Sequence, residues 1–389
     1  MRRTWILLLA CLLLLPLSAC GNQPDAGSTA AWLEIAKLDA GETAEELYAA
    51  ALHEGILVIY STGARVYETR DAFIAAYPGL SAEVQIIRGV DILPMLGDEF
   101  QANGAICDVL ICPDINATLS GSFAEQKILV KYVPPDMEES IYPEQNTEIL
   151  NFMVEGAQLF YNSDAYDAPP VSNWWELTEP QFKGRLCMVD PLRSHTTNSL
   201  LCAMIEREEE MLAAYEALYG RPLTVPDGSS AGQEYWRMLL KNDVQFTSSS
   251  EEVIELVGMP ARGDSLLGIM VSSKMRKANN GLAIAPVYDM TPCTGVMVAN
   301  SVMIAGGAKN VNSAKLFIRF LLGESDGTGS GYAPFLDEGS WPVRSDVTGQ
   351  ASVALNDAGF WTLNRTYFIE NNPWINDWWR DLREKYIEE

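Results

Sequence analysis

Four short runs of hydroxyl side chains mark where this chain could hold a ligand: Ser61-Thr62, Ser194-His195-Thr196-Thr197, Ser248-Ser249-Ser250 and Ser272-Ser273. Each follows a stretch of strand character. The second also opens a helix, where hydroxyls and unpaired backbone N–H groups converge in front of the positive end of the helix dipole. That combination suits phosphonate, phosphate-ester, carboxylate or sulfonate groups. Taken singly, serine or threonine before a helix is more often an N-cap. His195 is either a donor to the ligand, with a charge tunable near neutral pH, or an exposed residue at the rim of a cleft. The chain has only two histidines, His53 and His195, and lacks both Cys-x-x-Cys and His-Glu-x-x-His. Ser194 and His195 are neighbours, which seldom aligns hydroxyl and imidazole as nucleophile and base. Neither a zinc site nor catalysis is expected.

The elements that must position these runs alternate. Ala44–Leu52, Arg65–Tyr77 and Ile92–Asn103 have helical patterns, and Ile56–Tyr60, Glu83–Ile87 and Cys107–Ile111 are short apolar strands. The alternation resumes with strands Arg185–Val189 and Leu266–Met270, a helix from Asn198 and another from Ser273. Buried strands separated by helices of this length predict α/β architecture with mostly parallel sheets covered on both faces. Thr294–Ile304 is long enough to run between lobes, and Ala314–Leu322 reads as an amphipathic helix. Beyond them lies an aromatic tail in which Trp374, Trp378 and Trp379 share a helical face, expected to dock on a lobe.

The N-terminus starts Met1-Arg2-Arg3, continues through an apolar run and ends in Leu17-Ser18-Ala19-Cys20. Such a run is too short to span a bilayer and reads as a secretory signal. Its last four residues resemble the bacterial lipobox, so residues 1–20 are expected to be a lipoprotein signal peptide with Cys20 acylated. Residues 21–43 read as a flexible tether. Lipid anchoring places the body in extracytoplasmic solvent, as a monomer at the cell surface or in the periplasm. A net charge of −25 argues against nucleic acid as a partner. The remaining cysteines, Cys107, Cys112, Cys187, Cys202 and Cys293, sit mostly in apolar contexts. Cys107 and Cys112 lie too far apart on one strand to pair.

An ordered series of blocks over residues 50–350 resembles the type II extracellular solute-binding proteins of ABC transporters, in the branch that includes ferric-iron, phosphonate, polyamine and sugar-phosphate binders. Ile56–Thr62 is similar to the opening strand and turn. Leu159–Asp164, Pro170, Trp174–Leu177, Phe182–Arg185 and Asp190-Pro191 reproduce the central signature in order, and Trp341–Asp346 continues it. The resemblance implies two lobes with the ligand cleft between them: 44–155 plus 295–335 as one lobe, 156–294 as the other, and 336–389 as a tail packed on a lobe. It also implies a small-molecule ligand, an ABC permease and ATPase as partners, no cofactor and no enzymatic activity. With the family pattern, the hydroxyl runs become ligand-binding candidates: Ser61, Thr62, Ser194, Thr196, Thr197, Ser272 and Ser273, together with Asp114, His195 and Tyr288. Tyr288 either lines the cleft or packs at its edge. Ferric-binding relatives carry adjacent tyrosines after the strand matching Leu266–Met270. Here Val271-Ser272-Ser273-Lys274 stands there, so the ligand is expected to be an anion. The alternatives are ferric-iron transport, sensory binding for a membrane receptor, and an exported hydrolase.

Overall fold

The computed structural model describes residues 26–387, apart from 104, 106, 115–116, 261–264 and 325–328. The signal segment and Cys20 lie outside the described residues. In chain order the first elements are α1 (Ala26–Ala36), α2 (Ala44–Ala51), β1 (Leu57–Ser61), α3 (Val66–Ala76), β2 (Ala82–Ile86), α4 (Gly89–Asn103), β3 (Val109–Pro113), β4 (Leu129–Val130) and β5 (Leu150–Tyr161). Then come β6 (Leu186–Val189), α5 (His195–Glu206), α6 (Glu208–Tyr219), α7 (Ala231–Lys241), β7 (Gln245–Thr247), α8 (Ser250–Val257), β8 (Leu267–Val271) and β9 (Ala285–Pro286). The chain closes with β10 (Gly295–Ala305), α9 (Val311–Leu321), β11 (Ser340–Pro342), β12 (Phe360–Trp361) and α10 (Arg365–Ile387).

The main path of the sheet runs β2-β1-β3-β10-β5-β8-β6-β7. β2, β1 and β3 are parallel, as are β8, β6 and β7. Between these two parallel groups lie β10 and β5, antiparallel to each other and to the strands beside them. Apolar side chains gather in separate cores. One holds Leu57, Ile59, Phe73, Phe152 and Phe317, and another holds Trp174, Trp175, Leu200, Trp236 and Leu267. The α/β expectation is met, and the alternation of apolar strands and helices is its cause.

Three local expectations need correction. Within the 21–43 tether the chain is helical over Ala26–Ala36. Its small residues cost little side-chain entropy in a helix, and Trp32 fastens it by donating Nε1–H to the Ala308 carbonyl at 2.9 Å. The apolar run Leu282–Val287, which the sequence pattern reads as a strand before Tyr288, forms a strand only over Ala285–Pro286, which pairs with the far end of β5. In the tail, the buried stripe of α10 is Phe368, Asn372, Ile375 and Trp379, whereas Trp374 is 41% exposed. The spacing of that stripe is i, i+4, i+7, i+11, and it shifts the buried face by one residue from the tryptophan run.

Burial fixes the consequences. All five described cysteines are free and buried, and burial pushes the Cys187 and Cys202 thiols up to about 12. They pack as small apolar groups. Among the described residues, no helix is long and apolar enough to cross a membrane. Trp379 is wholly buried and meets Trp236 edge-on at 5.6 Å between ring centroids. Trp379→Ala is therefore expected to cost about 3–5 kcal/mol. The urea-unfolding midpoint should fall with its slope unchanged; a midpoint equal to the parent's would mean that α10 is not anchored through this ring.

Candidate ligand cleft

A cleft of about 640 Å³ opens between the parallel strand groups. Thr62, Arg88 and Gly89 line one side, and Arg193, Ser194, His195 and Ser248–Ser250 line the other. Three helices start at its wall: α4 at Gly89, α5 at His195 and α8 at Ser250. A helix leaves its first four N–H groups without intrahelical partners. In α5, Ser194 accounts for two of them, its Oγ accepting from Thr197 N and its carbonyl from Asn198 N. Ser249 does the same for Glu252 and Val253 in α8, and the Arg88 carbonyl takes the amides of Asp91 and Ile92 in α4. Among the described residues, the amides of Gly89, His195, Thr196, Ser250 and Glu251 remain without acceptors. Three positive helix ends thus border one space.

Arg88 and Arg193 add formal charge. Arg88 is ion-paired with Asp91 at 2.7 Å, while Arg193 is exposed and has no ion-pair partner among the described residues. On α8, the carboxylate of Glu252 accepts from the Ser248 amide and hydroxyl at 2.8 Å each. Those bonds hold it below the usual carboxylate range.

Of the other candidates, Ser61 is fully buried, and its Oγ accepts from Gly63 N at 3.0 Å. It shapes the turn that carries Thr62. Thr197 is turned inward, donating its hydroxyl to the Val189 carbonyl at 2.8 Å, and Thr196 contributes a helical amide. Ser272 and Ser273 lie at the crossing strands. Ser272 Oγ accepts from Gly156 N at 2.7 Å and donates to the Gly339 carbonyl, while Ser273 donates to Glu155. Tyr288 is half-buried and donates to Glu338 at 3.2 Å. Asp114 faces a separate cavity and accepts from the Leu119 amide at 2.8 Å and from the Ser120 hydroxyl.

Of the two readings of His195, the one with a charge tunable near neutral pH is corrected. Its ring meets Phe368 of α10 edge-on at 6.1 Å, and burial pushes its pKa down from 6.5 to about 4. At neutral pH the imidazole is uncharged. Reasoning from sequence also missed the tail as a wall of the cleft. Asn376 lines it and accepts from Asn198 Nδ2 at 2.7 Å. The carboxylate of Asp190, which precedes the ligand loop, is held by Trp379 Nε1 at 3.2 Å and Arg383 at 2.7 Å. Only the helical pattern of the tail hinted at this.

No group of three or more His, Cys, Asp or Glu side chains that could hold a metal ion occurs among the described residues. The arrangement presents donors and positive helix ends, which is chemistry for holding an anion.

The model for "Bacterial extracellular solute-binding protein" matches residues 105–328, more than half of the chain, and the chain belongs to that family. Its fold is that of the type II periplasmic binding proteins. Iron-bound HitA from Pseudomonas aeruginosa superposes with a TM-score of 0.64 at 16% identity, covering 84% of this chain and 99% of that one. The periplasmic binding protein AfuA from Actinobacillus pleuropneumoniae, with exogenous fructose-6-phosphate bound, gives 0.63 at 17%, covering 86% and 99%. MotA from A. tumefaciens in complex with glucopine gives 0.57 at 11%, covering 84% and 99%. No curated protein matches significantly.

Acidification tests the state of His195. The unfolded chain takes up its proton near pH 6.5 and the folded chain only near 4. Stability is therefore intact above 6.5 and lost progressively as pH falls from 6.5 towards 4. His195→Gln should show a smaller drop in Tm between pH 7 and pH 5 than the parent. Parallel Tm curves would show that the imidazole is not held neutral by the fold.

Proposed function

We propose that this protein captures a small organic or inorganic anion outside the cytoplasm and delivers it to an ABC permease and its ATPase. The observation that carries this reading is the meeting of three helix N-termini, each with unpaired amides, around Thr62, Arg193, Ser194 and Ser249. Anions are favoured there by the aligned dipoles and by hydrogen bonds to a charged acceptor. The hydroxyls of Ser272 and Ser273 stand where the resemblance would put ferric-binding tyrosines, and both are committed to protein groups. This supports an anion over iron(III), which prefers phenolate and carboxylate oxygen.

In this reading residues 44–155 with 295–335 form one lobe and 156–294 the other, and they hinge about β5 and β10 to close on the ligand. The protein acts as a monomer, tethered by lipid at Cys20. The lipobox-like Leu17-Ser18-Ala19-Cys20 supports the anchor.

Isothermal titration with inorganic phosphate and small carboxylates tests the ligand class. Arg193→Ala removes one charged donor and should weaken binding about 10- to 100-fold, at roughly 1.5–3 kcal/mol per charge-assisted bond. Tight iron(III) binding with a visible phenolate absorption band would overturn the anion reading. The anchor is tested by metabolic labelling with a radioactive fatty acid. Cys20→Ser should abolish incorporation, and equal labelling of variant and parent would remove the lipid from the account.

A further inference from the structure

His195 lines not only the cleft described above but also a second cavity of about 410 Å³. This space lies against the crossing strands and has a largely apolar wall, including Val154 on β5, Met297 on β10, and Leu363 and Phe368 from the tail. Ser199, one turn beyond His195 on α5, lines it too. Ser199 is completely buried, and its hydroxyl has no hydrogen-bond partner. A buried polar group left unmatched is costly, so this hydroxyl points to a partner that the protein itself does not supply. The charged groups of the same wall are answered internally in part, with Arg365 Nε left buried without a partner. Asp114 accepts from Leu119 and Ser120, and Glu148 is paired with Arg365 at 3.3 Å. Glu144 stands exposed.

We infer that this cavity receives the organic body of the ligand, while the anionic head sits on the helix amides beyond His195. The inference rests on the anion-binding reading and narrows it. The ligand is an organic anion whose mostly apolar body carries a hydrogen-bonding atom at the level of Ser199. A bare inorganic ion would leave the second space unused. At ~30 Å³ for a water-sized group, the cavity of about 410 Å³ has room for roughly fourteen heavy atoms. His195, neutral and edge-on to Phe368, forms the partition past which such a body must lie.

Isothermal titration of the mature chain with inorganic phosphate and a ladder of alkylphosphonates from methyl to hexyl is the test. Each buried methylene should tighten binding about fourfold, from roughly 0.8 kcal/mol per group. Ala299→Leu and, independently, Ser199→Leu fill the cavity. Both should flatten the dependence on chain length and leave phosphate affinity unchanged, and retained phosphate binding also certifies the fold. Equal affinity for phosphate and every phosphonate in the parent, or an undiminished ladder in both filled variants, would overturn the inference and spare the anion site. Failure of phosphate and every phosphonate to bind would overturn both.

Discussion

The antiparallel pairing of β5 with β10 is the constraint on which the rest of this molecule depends. Along the main path of the sheet, one parallel group joins the other only through this pair. All twelve residues of β5 are buried, although its sequence includes Asn151 and Glu155. Such residues can be buried at tolerable cost only where partners come from elsewhere in the chain. Ser301 donates to Asn151 at 2.7 Å, and Asn300 and Ser273 donate to Glu155. Arg65 reaches Glu155 at 3.7 Å and Asp337 at 3.7 Å, and stacks over Phe335 at 4.8 Å. Burial lowers the Arg65 pKa, against the pull of Glu155. One carboxylate thus gathers groups from α3's approach, from β10 and from the turn after β8.

This polar node explains why hydroxyls that look like ligand groups do structural work instead. Ser272 and Ser273 follow β8, where the chain leaves the sheet beside β5, so their nearest acceptors are protein atoms. Gly156, between them on β5, allows the ring of Phe360 to approach so closely that a Cβ would lie 2.2 Å from it. Polar satisfaction and close packing together leave these serines committed to the protein, while the helix ends farther out, at Gly89, His195 and Ser250, line the open cleft.

The legible part of this architecture is the part whose signal is local. The strands at Leu57–Ser61 and Leu186–Val189 and the helix Val311–Leu321 carry their own apolar patterns. β5 was hidden apart from its apolar end at Leu159–Tyr161, because Asn151, Glu155 and Gln158 interrupt its hydrophobic run, and the partners of Asn151 and Glu155 lie far along the chain. The site divides in the same way. Thr62 and Ser194 were visible as hydroxyls at strand ends. Arg88 and Asn376 were not, since only the tertiary fold brings the loop before α4 and the middle of α10 to one cleft. The inward turn of Thr197 and the neutral state of His195 depend on Val189 and Phe368, and no spacing within residues 190–198 encodes either contact.

The clasp on Asp190 has a temporal side. Trp379 and Asp190 are 189 residues apart in sequence, and Asn198 waits for Asn372 and Asn376. A chain exported from its N-terminus onwards exposes the ligand loop long before the helix that steadies it has emerged. A half-translocated chain therefore has the loop but not its brace, and the contacts that steady Asp190 and Asn198 form only once α10 has joined the fold.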